Sequence, residues 1–228
     1  QNLARSHADL VVAHADLTDL TRRLEQTYDG TLLALVRALD ARDTDTRGHS
    51  ERVASHTRSL AEYMGITPGS DQWETIYRGA LLHDVGKIGV VDAVLLKPGK
   101  LTPNEQDLMR KHPEIGFEML KEIPFLKGAA EIVLTHHEQW DGKGYPAGLR
   151  REELPLGSRL FSVTDAFDAM MSDRPYRKAL SLAQTLDEIL RFKGTQFDPA
   201  AVEALLDLYE GWLSEYPWHP DSIRSRAA

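Results

Sequence analysis

The chain has 228 residues, 42% of them hydrophobic and 27% charged, which suits one domain of ordinary size with a real core. No run approaches eighteen apolar residues and no charged-then-apolar leader pattern is visible, so neither a membrane span nor a secretory signal is expected in this fragment. A net charge of −8 argues against a nucleic-acid polymer as partner, and the lack of cysteine removes disulfides, thiolate nucleophiles and iron–sulfur clusters; any metal must be held by histidine and carboxylate.

Residues 1 to about 43 read as one long helix. Leu3, Leu10, Leu17 and Leu24 recur every seven residues, with Ala13 and Leu20 near the complementary positions, although Ser6 and Thr27 weaken the seam. The pattern fits a parallel coiled coil joining two chains over residues 3–28, and a helix packed on its own domain is the competing reading. The expected division is an N-terminal helix over 1–30, a globular domain over 31–213 and a tail over 214–228. His7 and His14 belong to no cluster and are expected to be solvated.

The remaining pattern is helical throughout. Helices are expected near His49–Met64 and Asp71–His83, followed by a folded loop over Gly86–Thr102 with room for a small hairpin near Val90–Leu101. Thr102, Pro103 and Glu105 spell a helix start. Further helices are expected near His112–Ile123, Ala129–Glu138, Leu156–Ser172, Leu182–Phe192 and Pro199–Leu213, with a glycine-rich loop over Asp141–Gly148. No stretch alternates with hairpin turns, so the fold class is all-α.

The stretch Leu81–Gly89 places His83 beside Asp84, with Lys87 three residues on, in an apolar frame of Leu81, Leu82, Val85 and Ile88. Alone it also fits a helix C-terminus with Gly86 as a left-handed cap and His83 as a satisfied buried histidine. The other histidines alter that balance. His49, His112, His136 and His137 also sit near helix ends or breaks, and Asp165 lies inside a helix; taken singly, Asp165 and Asp168 also read as surface acids on an amphipathic helix. Asp45 stands four residues before His49, a spacing that stacks two side chains on one helical face if the helix extends that far. Five imidazoles and up to three carboxylates exceed the needs of one ion and suit a pair of hydrolytic metals, with Asp84 able to bridge them. Trp140 and His56 are expected to pack rather than act.

These residues lie in motifs that resemble the HD-GYP domain, a subgroup of the HD superfamily of metal-dependent phosphohydrolases. The matching stretches are GHSERVA (48–54), HDVGKIG (83–89), LLKPGKLT (95–102), HPEIG (112–116), HHEQWDGKGYPAGL (136–149), TDAFDAM (164–170) and SDRPYRKA (172–179), covering about residues 31–210 in the family's order. The resemblance implies a bacterial helical bundle that hydrolyses cyclic di-GMP to the linear dinucleotide or on to GMP. It implies two or three divalent ions, iron first and manganese next, held by His49, His83, Asp84, His112, His136, His137 and Asp165. A third ion would add Asp45, where members with three metals carry glutamate. Catalytic roles fall to Asp84 and Lys87. Lys87, Tyr145, Arg174 and Arg177 are the expected substrate contacts. A cytoplasmic protein, dimeric through its first helix and controlled by an upstream sensor domain, completes the expectation. The alternatives are a non-catalytic cyclic-dinucleotide receptor, or an HD phosphohydrolase acting on another nucleotide such as cyclic GMP–AMP.

Overall fold

Local capping fixes several helix starts. In the computed structural model, which describes residues 2–42, 48–173 and 178–215, Ser70 accepts the Trp73 amide at 3.3 Å, and Thr102 with Glu105 and Ser181 with Gln184 form reciprocal capping boxes. The helices are α1 (Asn2–Arg42), α2 (His49–Tyr63), α3 (Asp71–Leu82), α4 (Asp92–Leu95), α5 (Pro103–Met109), α6 (His112–Leu120), α7 (Lys127–Thr135), α8 (Leu156–Met171), α9 (Leu182–Arg191) and α10 (Pro199–Glu215). Short 3-10 turns occupy Val85–Gly89, Pro124–Leu126 and Arg151–Glu153.

Among the described residues there is no strand, only an isolated bridge between Lys193 and Phe197. The hairpin considered for 90–101 is therefore corrected to a short helix, α4. Asp92 sits in its first turn, where a carboxylate complements the helix dipole. Gly86 is corrected as well: it lies inside the 3-10 turn and has no left-handed φ. Its missing side chain serves close approach, because a Cβ there would sit 1.9 Å from the His112 carbonyl oxygen and 2.5 Å from the Gly116 nitrogen. The turn after His83 thus rests directly on α6.

The core is made of two apolar clusters. One joins Leu60, Ile76, Ile132, Leu160, Phe167, Ile189 and Leu205 across α2, α3, α7, α8, α9 and α10. The other brings Leu32 and Val36 of α1 onto Val53, Leu82, Val133 and Phe161. Along α1 the burial changes with position: Leu10, Leu17, Leu20 and Leu24 are exposed, whereas Leu32, Val36 and Leu39 are buried. Between them Tyr28 stacks on Phe125 at 4.9 Å and Asp29 accepts from Arg78 Nε at 3.1 Å. His7 and His14 are exposed, as expected. His56 packs inside, its Nδ1 2.7 Å from the Tyr209 hydroxyl.

Candidate metal centre

The fold carries its histidines to one place by putting them at helix ends. His49 opens α2, His83 follows the last residue of α3, His112 opens α6 and His136 follows α7. Three of these rings use the same local device. His83 Nδ1 donates to Ala80 O at 2.8 Å, His112 Nδ1 to Met109 O at 2.8 Å, and His136 Nδ1 to Val133 O at 2.6 Å. Each ring satisfies a carbonyl that the preceding helix leaves open at its C-terminal end. A carbonyl only accepts, so the proton lies on Nδ1 and the Nε2 lone pair faces inward.

Two groups of candidate ligands result: His49, His83 and Asp165, and His112, His136 and His137, with the ligand atoms of each group within 4.8 Å of one another. Asp84 lies between them, with Oδ2 3.2 Å from His83 Nε2 and Oδ1 3.5 Å from His112 Nε2. Lys87 Nζ approaches the same carboxylate at 2.8 Å. The seven residues expected as ligands from the sequence therefore lie in one place, with Asp84 close to one histidine of each group. Asp45, Arg174 and Arg177 lie outside the described residues.

The donor set fits divalent cations. His112 Nε2 and His136 Nε2 lie 3.1 Å apart, yet both rings already spend their proton on a backbone carbonyl. Neutral rings in that pose meet lone pair to lone pair. A second proton is disfavoured, since burial and the neighbouring imidazoles hold His136 well below the usual histidine range and burial with His112 lowers His137 to about 4. A metal ion would resolve the contact where a proton does not.

Two supporting carboxylates were not singled out from sequence. Asp168, 3% exposed, accepts from His49 Nδ1 at 2.7 Å and from Arg52 Nε at 2.7 Å. The reading of Asp168 as a surface acid is thereby corrected. It sits one turn beyond Asp165 on the inner face of α8, because an i, i+3 pair shares a helix face. Burial pushes the Asp168 carboxyl up, but the hydrogen bonds from His49 and Arg52 prevail and bring it to about 2. For His49 burial acts downward, and the bonds to Asp165 and Asp168 raise it to about 9. Glu138, 2% exposed, accepts the Ala147 and Gly148 amides at 2.7 and 3.0 Å. It thereby folds the loop of Gly144, Tyr145 and Pro146 back over the histidine pair. Gly144 permits this contact, since a Cβ there would sit 2.4 Å from Glu138 Cα. The Tyr145 ring stacks on His137 at 4.7 Å, and the Arg110 guanidinium lies 5.1 Å from its centroid. The i, i+3 acid pair of TDAFDAM and the acid directly after His137 were the available signals for Asp168 and Glu138.

Comparison with known proteins agrees with this geometry. The HD domain family matches residues 34–201. A cyclic di-GMP phosphodiesterase of Thermotoga maritima is 46% identical over 170 residues, covering 73% of this chain and 45% of the relative. A cyclic di-GMP phosphodiesterase of Vibrio cholerae is 40% identical over 204 residues, covering 84% of this chain and 42% of the relative. The chain thus spans less than half the length of these curated relatives. The crystal structure of a cyclic GMP–AMP-specific phosphodiesterase from V. cholerae superposes with a TM-score of 0.64 at 21% identity, over 85% of this chain and 52% of that one, and supports the fold. The motifs, the helical architecture and these matches together make the chain a member of the HD-domain family, of the HD-GYP kind.

Proposed function

We propose that the chain is a metal-dependent phosphodiesterase that hydrolyses cyclic di-GMP, to the linear dinucleotide or on to GMP, in bacterial second-messenger signalling. The observation that carries this reading is Asp84, set between two groups of candidate ligands with Lys87 on the same carboxylate. His49, His83 and Asp165 would hold one ion, His112, His136 and His137 another, and Asp84 both. The family resemblance makes iron the first choice and manganese the next, and a site of imidazole and carboxylate without thiolate suits either. When bound, such ions lower the pKa of water and neutralise phosphate charge. A third ion would call on Asp45.

The chain's own groups supply the rest. Lys87 Nζ lies 2.8 Å from Asp84 Oδ2, where an ammonium would offset the charge that a phosphate oxygen gains during attack. Asp84 holds that ammonium in place. Asp168 holds the His49 ring through Nδ1 and leaves Nε2 facing Asp165 at 3.0 Å. Arg174 and Arg177 are the expected phosphate forks, a geometry that guanidinium makes better than ammonium. Tyr145, fixed on His137, forms one wall of the expected substrate site.

The same reading takes α1 as the dimer-forming segment, since Leu10, Leu17, Leu20 and Leu24 line it unburied. It also includes a cytoplasmic location and an upstream sensor. No helix among the described residues is long and apolar enough to cross a membrane.

The test is anaerobic purification with metal analysis per chain and turnover followed by chromatography on the same sample, with cyclic di-GMP and cyclic GMP–AMP run in parallel. The expected result is two or three iron or manganese ions per chain and cleavage of cyclic di-GMP, both lost in His83→Ala/Asp84→Ala. A filled site that binds cyclic di-GMP without cleaving it would replace the enzyme with a receptor. Preference for cyclic GMP–AMP would move the substrate.

A further inference from the structure

We infer that Arg42, the last residue of α1, is a positioning residue that fixes the turn carrying Asp84 and Lys87 to the end of the long N-terminal helix. The inference rests on the phosphodiesterase reading of the site. Arg42 Nη1 donates to Lys87 O at 3.3 Å and to Ile88 O at 3.1 Å, and Nη2 donates to Val90 O at 2.9 Å. Its Nε donates to Asp92 Oδ1 at 3.0 Å, and Nη2 reaches the same oxygen. One guanidinium therefore gathers three carbonyls at the end of the 3-10 turn and the first acid of α4. A planar five-donor fork can do this and an ammonium cannot.

The turn is held from two sides of unlike character. Against α6 it rests on the close approach at Gly86, where backbone meets backbone. Against α1 it carries the hydrogen bonds of one long side chain, besides the apolar cluster that Val85 shares with Leu32 and Val36. The same end of α1 also grips the approach to His49. Asp40 Oδ2 accepts the Gly48 amide at 3.0 Å, and Arg37 forks onto Glu51 at 2.8 and 3.1 Å. A shift of α1 along or about its axis would thus reach His49 through one set of bonds and Lys87 through another. The Arg42–Asp92 pair is itself ill suited to a purely stabilising role, since the Arg42 and Asp92 side chains are 31% and 69% exposed. Pairs so open to solvent add little stability. Misplacing Lys87 is another matter, because a displacement of about 1 Å at a reacting group costs rate on the order of a hundred-fold.

The test uses the full metal-loaded chain with Arg42→Ala and Arg42→Lys, assayed on cyclic di-GMP and on bis(4-nitrophenyl) phosphate, a diester that reports the metal centre without the natural substrate. The expected result for Arg42→Ala is a kcat lower by roughly 10- to 100-fold, with KM and metal content unchanged and partial recovery on adding millimolar guanidinium; Arg42→Lys should recover little. Hydrogen exchange should quicken at the amides of 87–90 and stay unchanged at the buried amides of α7. An alanine variant with wild-type kcat, or with wild-type exchange at 87–90, overturns the inference. So does a loss of activity that only follows loss of metal or of fold in both variants. If the wild type cleaves the artificial diester but no cyclic dinucleotide, the substrate reading fails while the Arg42 comparison still stands. If it cleaves neither, hydrogen exchange alone decides.

Discussion

The two ligand groups have the same number of members and opposite electrostatic character. His49 and His83 share their side of the site with Asp165, and Asp168 stands behind His49. His112, His136 and His137 form an all-imidazole group, with the Asp84 carboxylate 3.5 Å from His112 Nε2. In the metal-free chain the first group therefore attracts protons and the second repels them: His49 is raised to about 9, while His137 is lowered to about 4. The lesson is that burial alone does not set the charge of a histidine. His49 and His137 are both largely enclosed, and what separates them is whether a carboxylate or another imidazole faces the ring.

Removing the carboxylate that lies between the two groups should have the largest effect. Asp84→Ala is expected to lower turnover more than any other single change and to reduce the metal bound in both groups. His137→Ala should cost only the ion of the imidazole group, seen as one fewer metal per chain. Lys87→Ala comes next. It should keep its metals and lose kcat by roughly 10²- to 10³-fold, the cost of removing one preorganised stabiliser of developing charge.

Asp168→Ala should have a smaller and one-sided effect. It should weaken metal affinity by about 10- to 100-fold on the His49 side, as loss of a carboxylate behind a ligating histidine does. Metal titration of the variant should separate one weakened ion from an unchanged one. An equal loss of both ions would show that the groups do not act separately.

The mildest test is the pH dependence of thermal stability in chelator-treated protein. His49 binds its proton more tightly folded than unfolded, so its contribution is complete below its ordinary value of 6.5 and is lost as pH rises through about 9. His137 is the reverse case: its contribution is complete above 6.5 and is lost as pH falls through about 4. Tm should therefore peak near the ordinary histidine value and fall by several degrees on both sides. His49→Gln should flatten the alkaline limb, and His137→Gln should ease the acid one. Limbs that keep their slopes in these variants would assign the pH response to other groups.

Much of this molecule is written locally. Thr102 with Glu105 marks a helix start because the capping box needs only neighbours in sequence. The spacing of buried positions in α2 and α8 follows from the helical period, and the all-α class follows from the absence of alternation. The resemblance carried the ligand set as far as a motif can. The roles of Asp168 and Glu138 were less legible. Each looks like an ordinary surface acid in one dimension and becomes a buried acceptor only when α2 packs on α8, or when the Tyr145 loop turns back.

By itself, then, the sequence determined the longer helices, the absence of thiolate chemistry and the residue types able to hold metal, since these depend on composition and short-range period. Only the tertiary structure decided that Asp84 stands between two groups, that three histidine rings turn their Nε2 atoms inward, and that Arg42 reaches the carbonyls beyond Lys87. Those facts need segments distant in sequence to meet at hydrogen-bonding distance, and the packing of the helices brings them there.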